Sequence, residues 1–192
     1  IETTTFGWCS ALTSVNLPNV TEIGVSAFME CTALSWIELP ALRSTTSKAF
    51  SACTSLLLVS FPCLETVSMY TFDDCSSLER IYLPAASFIG TNAFRDCVNL
   101  TTASFPFVTN IAANAFSGCT SLESVYFLGS SVPSVASKIF QSTPIASADY
   151  LGHFGSIYVK HSLVARWASL YNFSSYSARI VGLTDEEIAA LG

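Results

Sequence analysis

Charge is scarce in this chain. Only 11% of its 192 residues are Asp, Glu, Lys or Arg, against roughly 25% in an ordinary globular protein. Such scarcity raises the question of membrane burial, but long apolar runs are missing too. No stretch approaches the ~18 uninterrupted apolar residues that a spanning helix needs. The apolar residues, 51% of the chain, come instead in short pulses separated by Ser, Thr, Asn and Pro. Solubility therefore rests on hydroxyls and amides more than on ions. Basic runs are absent, and the net charge is −6 with a pI near 4.7. An acidic surface repels phosphate backbones, so the composition argues against nucleic acid as a partner and against a basic membrane-binding patch. No initiator Met and no signal peptide precede Ile1. The chain reads as the mature or trimmed part of a longer protein, so the missing leader says nothing about secretion.

What is present is a repeat. Phe6, Phe28, Phe50, Phe72, Phe94 and Phe116 stand 22 residues apart. The same step carries Cys9, Cys31, Cys53, Cys75, Cys97 and Cys119, and again Leu12, Leu34, Leu56, Leu78, Leu100 and Leu122. An alternating pair follows in each unit: Val15/Leu17, Ile37/Leu39, Val59/Phe61, Ile81/Leu83, Ala103/Phe105 and Val125/Phe127. Pro18, Pro40, Pro62, Pro84 and Pro106 close the pair. A second apolar pulse comes at Val20/Ile23, Leu42, Leu64/Val67, Ile89 and Val108/Ile111, with Thr45 and Ala86 as its weak positions.

The V-x-L alternation predicts a very short strand with two side chains inward. Proline is tolerable at its end, where the lost donor matters least. The F-x-x-C-x-x-L spacing predicts a tight helical or 3₁₀ turn with one face inward. One such coil cannot bury its own apolar face, whereas stacked coils cover one another and pair their strands in parallel at about 4.8 Å. The expected fold class is therefore an α/β repeat, a right-handed solenoid of 22-residue coils with short parallel strands and a helical C-terminal cap. The expected organisation is a solenoid over residues 1–150, regular to about 128 and irregular over 129–150 around Val135 and Phe140. A last strand at Ile157-Tyr158-Val159 and a cap fill 151–192. An amphipathic helix is expected over 161–171, and Thr184-Asp185-Glu186-Glu187 is a capping box opening a short helix through Leu191. Ile1 matches Ile23 of the next unit, which suggests further repeats upstream in the parent protein.

The unit Ala27-Phe28-Met29-Glu30-Cys31-Thr32-Ala33-Leu34-Ser35-Trp36-Ile37-Glu38-Leu39-Pro40 resembles the BspA-type leucine-rich repeat. The run from Ile157 through Trp167, Tyr171 and Tyr176 to Arg179-Ile180-Val181 is similar to the segment that often ends such arrays, with Lys160 where that ending usually has Pro. The resemblance covers essentially the whole chain. It implies a bacterial secreted or cell-surface protein that adheres to host matrix proteins or to other cells, with no catalytic motif and no cofactor.

Candidate sites are few. The six in-register cysteines are expected inward as free thiols, because parallel Cβ vectors make poor disulfide geometry. Cys63 is off-register and expected to be the most exposed. No C-x-x-C or converging ligand set suggests a metal. A Ser–His–Asp arrangement using His153 or His161 with Asp149 lacks a positioned nucleophile. Asp73, Asp74 and Asp96 read as scattered and solvated. The sequons at Asn19, Asn99 and Asn172 carry little information in a Ser/Thr-rich bacterial chain. The strand face is more informative. Its outward positions carry Trp36, Glu38, Leu58, Arg80, Tyr82 and Tyr126, a diagonal stripe rich in the types found at binding hot spots. The alternative is that these residues merely pair across strands. Functionally the sequence points to a protein-binding or adhesion module. A passive spacer and a non-catalytic carbohydrate-targeting module remain open beside it, and an enzyme is disfavoured.

Overall fold

The computed structural model describes residues 1–146 and 154–191. Its elements in chain order are β1 (Glu22–Ile23), β2 (Trp36–Glu38), β3 (Ser44–Thr45), β4 (Leu58–Ser60), β5 (Thr66–Val67), β6 (Arg80–Tyr82), β7 (Phe88–Ile89), β8 (Thr102–Ser104), β9 (Asn110–Ile111), β10 (Ser124–Phe127), β11 (Ser134–Val135), β12 (Ser156–Lys160), α1 (Val164–Ala168), β13 (Ile180–Leu183) and α2 (Asp185–Ala189). Every strand pairing is parallel and joins equivalent positions of neighbouring coils, as in Ile81 beside Ala103 and Ala103 beside Val125. The chain is a leucine-rich-repeat solenoid.

Each coil has three sides. The V-x-L pairs build the first, as a sheet in the order β13-β12-β10-β8-β6 and a separate pair β2-β4. The second apolar pulse builds another sheet, β1-β3-β5-β7-β9-β11, which the sequence showed only as a hydrophobic pulse. Its inward row is Ile23, Thr45, Val67, Ile89, Ile111 and Val135. Thr45 is the polar exception and is buried. Its hydroxyl lies 3.0 Å from the Thr71 hydroxyl and accepts from the Ser68 N–H at 3.1 Å, so the burial leaves no orphan polar group.

The F-x-x-C-x-x-L side corrects an expectation. It holds neither α nor 3₁₀ helix but a run of β-turns. In the second coil the turns close through Ala27 N–H to Gly24 O, Met29 N–H to Ser26 O, Cys31 N–H to Phe28 O and Leu34 N–H to Cys31 O. Ser26 and Glu30 take φ of 54° and 57°, and each is the third residue of its turn. Lys48 and Ala52, Tyr70 and Asp74, and Asn92 and Asp96 repeat the pattern. A left-handed residue without glycine costs roughly 1–2 kcal/mol. The geometry persists because it frees alternate N–H groups to reach the next coil. Ser26, Phe28 and Glu30 donate to Ser47, Ala49 and Ser51 at 3.0, 2.8 and 2.8 Å.

Inside, identical residues form rows. Phe6 through Phe140 stack with centroids 5.0–5.7 Å apart and ring planes within 23° of parallel. The cysteine row has a polar role besides filling space. The thiols of Cys31, Cys53, Cys75, Cys97 and Cys119 donate to the carbonyls of Phe6, Phe28, Phe50, Phe72 and Phe94, three residues before the preceding cysteine, at 3.0–3.2 Å. The same carbonyls accept the turn N–H of their own coil, as Phe28 O does from Cys31 N–H. Each thiol thus bonds a carbonyl oxygen through its second lone pair. Thr143 follows Phe140 at the same spacing, but its hydroxyl donates within its own coil, to Phe140 O at 2.8 Å.

At the C-terminal end the rows turn from stacked to edge-on contacts. Trp167 stacks on Phe127 at 5.2 Å, while Phe173 and Tyr176 meet Phe140 edge-on at 6.2 and 5.7 Å. The helix expected over 161–171 is shorter. A 3₁₀ turn at His161–Leu163 leads into α1, and a second 3₁₀ segment covers Tyr171–Arg179. The expected capping box is present. The Glu187 N–H donates to the Thr184 hydroxyl at 3.2 Å, and the Thr184 N–H donates to the Glu187 carboxylate at 2.8 Å. The Thr184 N–H and hydroxyl together hold the Glu187 carboxyl below its ordinary range.

Candidate functional site

Strand alternation places the outward residues as the spacing predicts. Trp36 lies beside Leu58 and Glu38 beside Ser60. Arg80 lies beside Thr102, Tyr82 beside Ser104, and Ser104 beside Tyr126. Trp36, Leu58 and Tyr82 are 47%, 53% and 61% exposed, and Glu38 and Arg80 are exposed as well. The inward partners are Ile37, Ile81, Ala103 and Val125, all buried.

Two features separate the stripe into parts. The first is a break in the sheet. Among the described residues β4 and β6 form no ladder, and Val59 at the break is only half-buried. Trp36 and Leu58 therefore sit on a two-stranded ladder that adjoins the strand of Arg80 and Tyr82 without backbone pairing to it. The second concerns Tyr126, whose ring stacks on Tyr158 of the next strand, centroids 4.6 Å apart and planes 12° from parallel. Tyr126 is half-buried in a cross-strand pair, the structural role weighed for the whole stripe.

Two hollows lie on this face. A shallow one of about 450 Å³ is lined by Ser14, Val15, Asn16, Trp36 and Glu38. A larger groove of about 860 Å³ runs from Arg80 and Tyr82 past Phe107 and Tyr126 to Lys160, with Ile188 and Leu191 as its far wall. Sequence reasoning missed Phe107, Leu128, Ile188 and Leu191. A signal was there for two of them. Phe107 stands where earlier coils have Asn19, Ala41, Cys63 and Ala85, and Leu128 stands where they have Pro. The last two come from α2 and its end, far along the chain.

Elsewhere the side chains serve packing. Asp73, expected to be solvated, is buried beneath Arg95, which grips it at 2.7 and 3.1 Å. Burial lifts the Asp73 carboxyl above its ordinary range against the pull of Arg95. Arg95 also lies over the Tyr70 ring at 5.4 Å. All seven cysteines are free. The exposed one is Cys9, and Cys63 is half-buried, which reverses the expected order. Burial pushes the Cys31 thiol up to about 11 and the Cys53 thiol up to about 12, and raises Cys75 and Cys97 well above the ordinary thiol range. These groups are neutral thiols and poor nucleophiles at physiological pH. His153 and Asp149 lie outside the described residues, and His161 is exposed on its 3₁₀ turn. Among the described residues no three of His, Cys, Asp and Glu could hold a metal ion, and no helix is long and apolar enough to cross a membrane.

Comparison with known proteins agrees with this geometry. The BspA type leucine rich repeat region matches in six copies over residues 1–107 and 87–161. No curated protein matches the chain. A leucine rich cell surface protein from Faecalibacterium prausnitzii A2-165 superposes with a TM-score of 0.68 at 24% identity, covering 83% of this chain and 42% of its own. A leucine-rich repeat protein from Bacteroides ovatus ATCC 8483 gives 0.69 at 26% identity, covering 90% and 42%. The T. pallidum leucine rich repeat protein gives 0.51 at 26% identity, covering 64% and 73%. The chain thus spans less than half the length of two of these relatives.

Proposed function

The chain belongs to the BspA-type leucine-rich repeat family, and from that premise we propose that it is a protein-binding module of a bacterial secreted or cell-surface protein, holding its ligand on the outward face of the main strands. The family marks a protein-interaction or structural module. One observation supports the finer reading. The interior repeats almost without change, while the strand face does not. Inward positions hold Ile37, Ile81 and Val125, whereas outward ones hold Trp36, Leu58, Arg80 and Tyr82, exposed and of the types enriched in hot spots. Packing accounts for the first set and leaves the second without a structural duty. Residues 1–150 are then the displaying solenoid and 151–192 the cap that ends it. A surface location accords with the cell-surface relative from F. prausnitzii. The module is non-catalytic, and its ligand is a host matrix protein or another cell-surface protein.

The test uses a panel of extracellular-matrix proteins and a glycan array. The wild-type chain binds at least one matrix protein, and Trp36→Ala with Tyr82→Ala weakens that binding by about thirtyfold or more. The melting temperature stays nearly unchanged, because both side chains stand outside the core on the exposed strand face. Unaltered binding by the double variant removes the strand face as the site. Binding to glycans alone favours carbohydrate targeting, and binding to neither favours a spacer.

A further inference from the structure

The larger groove differs from the rest of the surface in charge. The chain carries fourteen acidic and eight basic residues, yet two of those eight, Arg80 and Lys160, line this one groove and no acidic residue does. Arg80 is exposed and pairs with no carboxylate among the described residues. Lys160 is 3.6 Å from Asp185, whose side chain is 91% exposed, so that contact is weak and readily exchanged. The walls between the two cations are largely apolar, with the hydroxyls of Thr102 and Ser104 on the strand side. Phe107 is 67% exposed beside Arg80 and Tyr82, and Leu191 is 54% exposed opposite. Tyr126, held by its stack on Tyr158, forms a rigid floor.

We propose that this groove, between the strand face and the end of α2, binds an extended peptide segment that presents an acidic side chain to Arg80 and apolar side chains to Phe107, Ile188 and Leu191. An unpaired guanidinium beside an apolar wall recognises a carboxylate bidentately and gains from the water its neighbours exclude. The aliphatic wall favours a peptide over an acidic sugar, because sugar hydroxyls facing Leu128, Ile188 and Leu191 would lose their water partners without replacement. Where the repeat departs from its pattern, at Phe107 and Leu128, it departs into this groove. The assignment rests on the strand face being the binding face and names the chemistry that its C-terminal half selects.

An immobilised array of end-capped hexapeptides tests it, with Leu and Phe flanks and a central Glu, Gln or Lys. Acidic oligosaccharides are spotted on the same surface. The expected result is retention on the Glu peptides, about tenfold weaker on Gln and absent on Lys, with the Glu signal falling when salt is raised to about 1 M. Arg80→Gln is expected to level the Glu and Gln signals, and Phe107→Ser to lower both. Equal retention of Glu and Gln peptides, no retention of either, or retention of the oligosaccharides alone overturns the inference. Loss of peptide binding with matrix-protein binding intact would sink the groove while leaving the broader strand-face reading standing.

Discussion

Phe72→Ala is expected to cost about 3–5 kcal/mol of stability, the usual range for emptying a buried phenylalanine site. Phe72 is fully buried midway along the solenoid, its ring stacked between Phe50 at 5.5 Å and Phe94 at 5.3 Å. The cost lies at the high end for a structural reason. A cavity costs less when its walls collapse, and here the spacing of the walls is held by backbone bonds. Phe50 donates to Thr71 at 2.9 Å and Phe72 to Ala93 at 2.8 Å, so the coils cannot close on the gap. Phe6→Ala is expected to cost distinctly less in this chain, because Phe6 is only half-buried. Urea midpoints of the two variants check both claims. A loss below about 1 kcal/mol for Phe72→Ala would mean that the row is not a packed column.

The second large effect is alkaline. A thiol whose folded pKa is raised keeps its proton in the native state while the unfolded chain loses it. The stabilising preference is whole below the unfolded value of 9.0 and is lost as pH rises through about 11 for Cys31 and about 12 for Cys53. The displacement from 9.0 to about 12 corresponds to at most roughly 4 kcal/mol for Cys53, and the better solvated Cys31 contributes less. Cys75 and Cys97 add in the same direction, since burial raises them too. The urea midpoint should therefore hold steady up to pH 9 and fall steeply beyond it. Cys53→Ala should flatten that fall while lowering stability at neutral pH, where a small cavity and a lost bond to Phe28 O replace the thiol. A midpoint that is level from pH 8 to 11 would show the thiols to be solvated.

The rows were legible in the sequence because stacking copies one residue into every coil, and a fixed step is the simplest signal a chain can carry. The strand register followed from the V-x-L alternation, and the last helix from the capping box at Thr184. The turn side was not legible. Spacing at i, i+3 and i+6 fits a 3₁₀ turn and a run of β-turns equally, and the left-handed positions hold Ser26, Lys48 and Tyr70, not the glycines that would have marked them. The second sheet was hidden because two-residue strands leave only one inward side chain per coil. Helix α1 stops at Ala168, short of the apolar pattern that runs to Leu170, as the chain turns Phe173 and Tyr176 under the last rungs. Cys9 was misplaced against Cys63 because exposure depends on which side chains cover a residue, not on register alone. Within the candidate site, the positions of Trp36, Leu58, Arg80 and Tyr82 could be read from alternation. The break between β4 and β6, the Tyr126–Tyr158 stack and the groove wall from α2 arise from tertiary packing.

Alkylation of the cysteines, mapped residue by residue by mass spectrometry, bears most directly on the claim that this molecule hides its repeating residues and leaves its varied ones free to bind. In the native protein iodoacetamide should modify Cys9 first and Cys63 more slowly. Cys31, Cys53, Cys75, Cys97 and Cys119 should stay protected and become reactive together on unfolding. Modification of any of those five at the rate of Cys9, under native conditions, would contradict the stacked architecture and the binding face built on it.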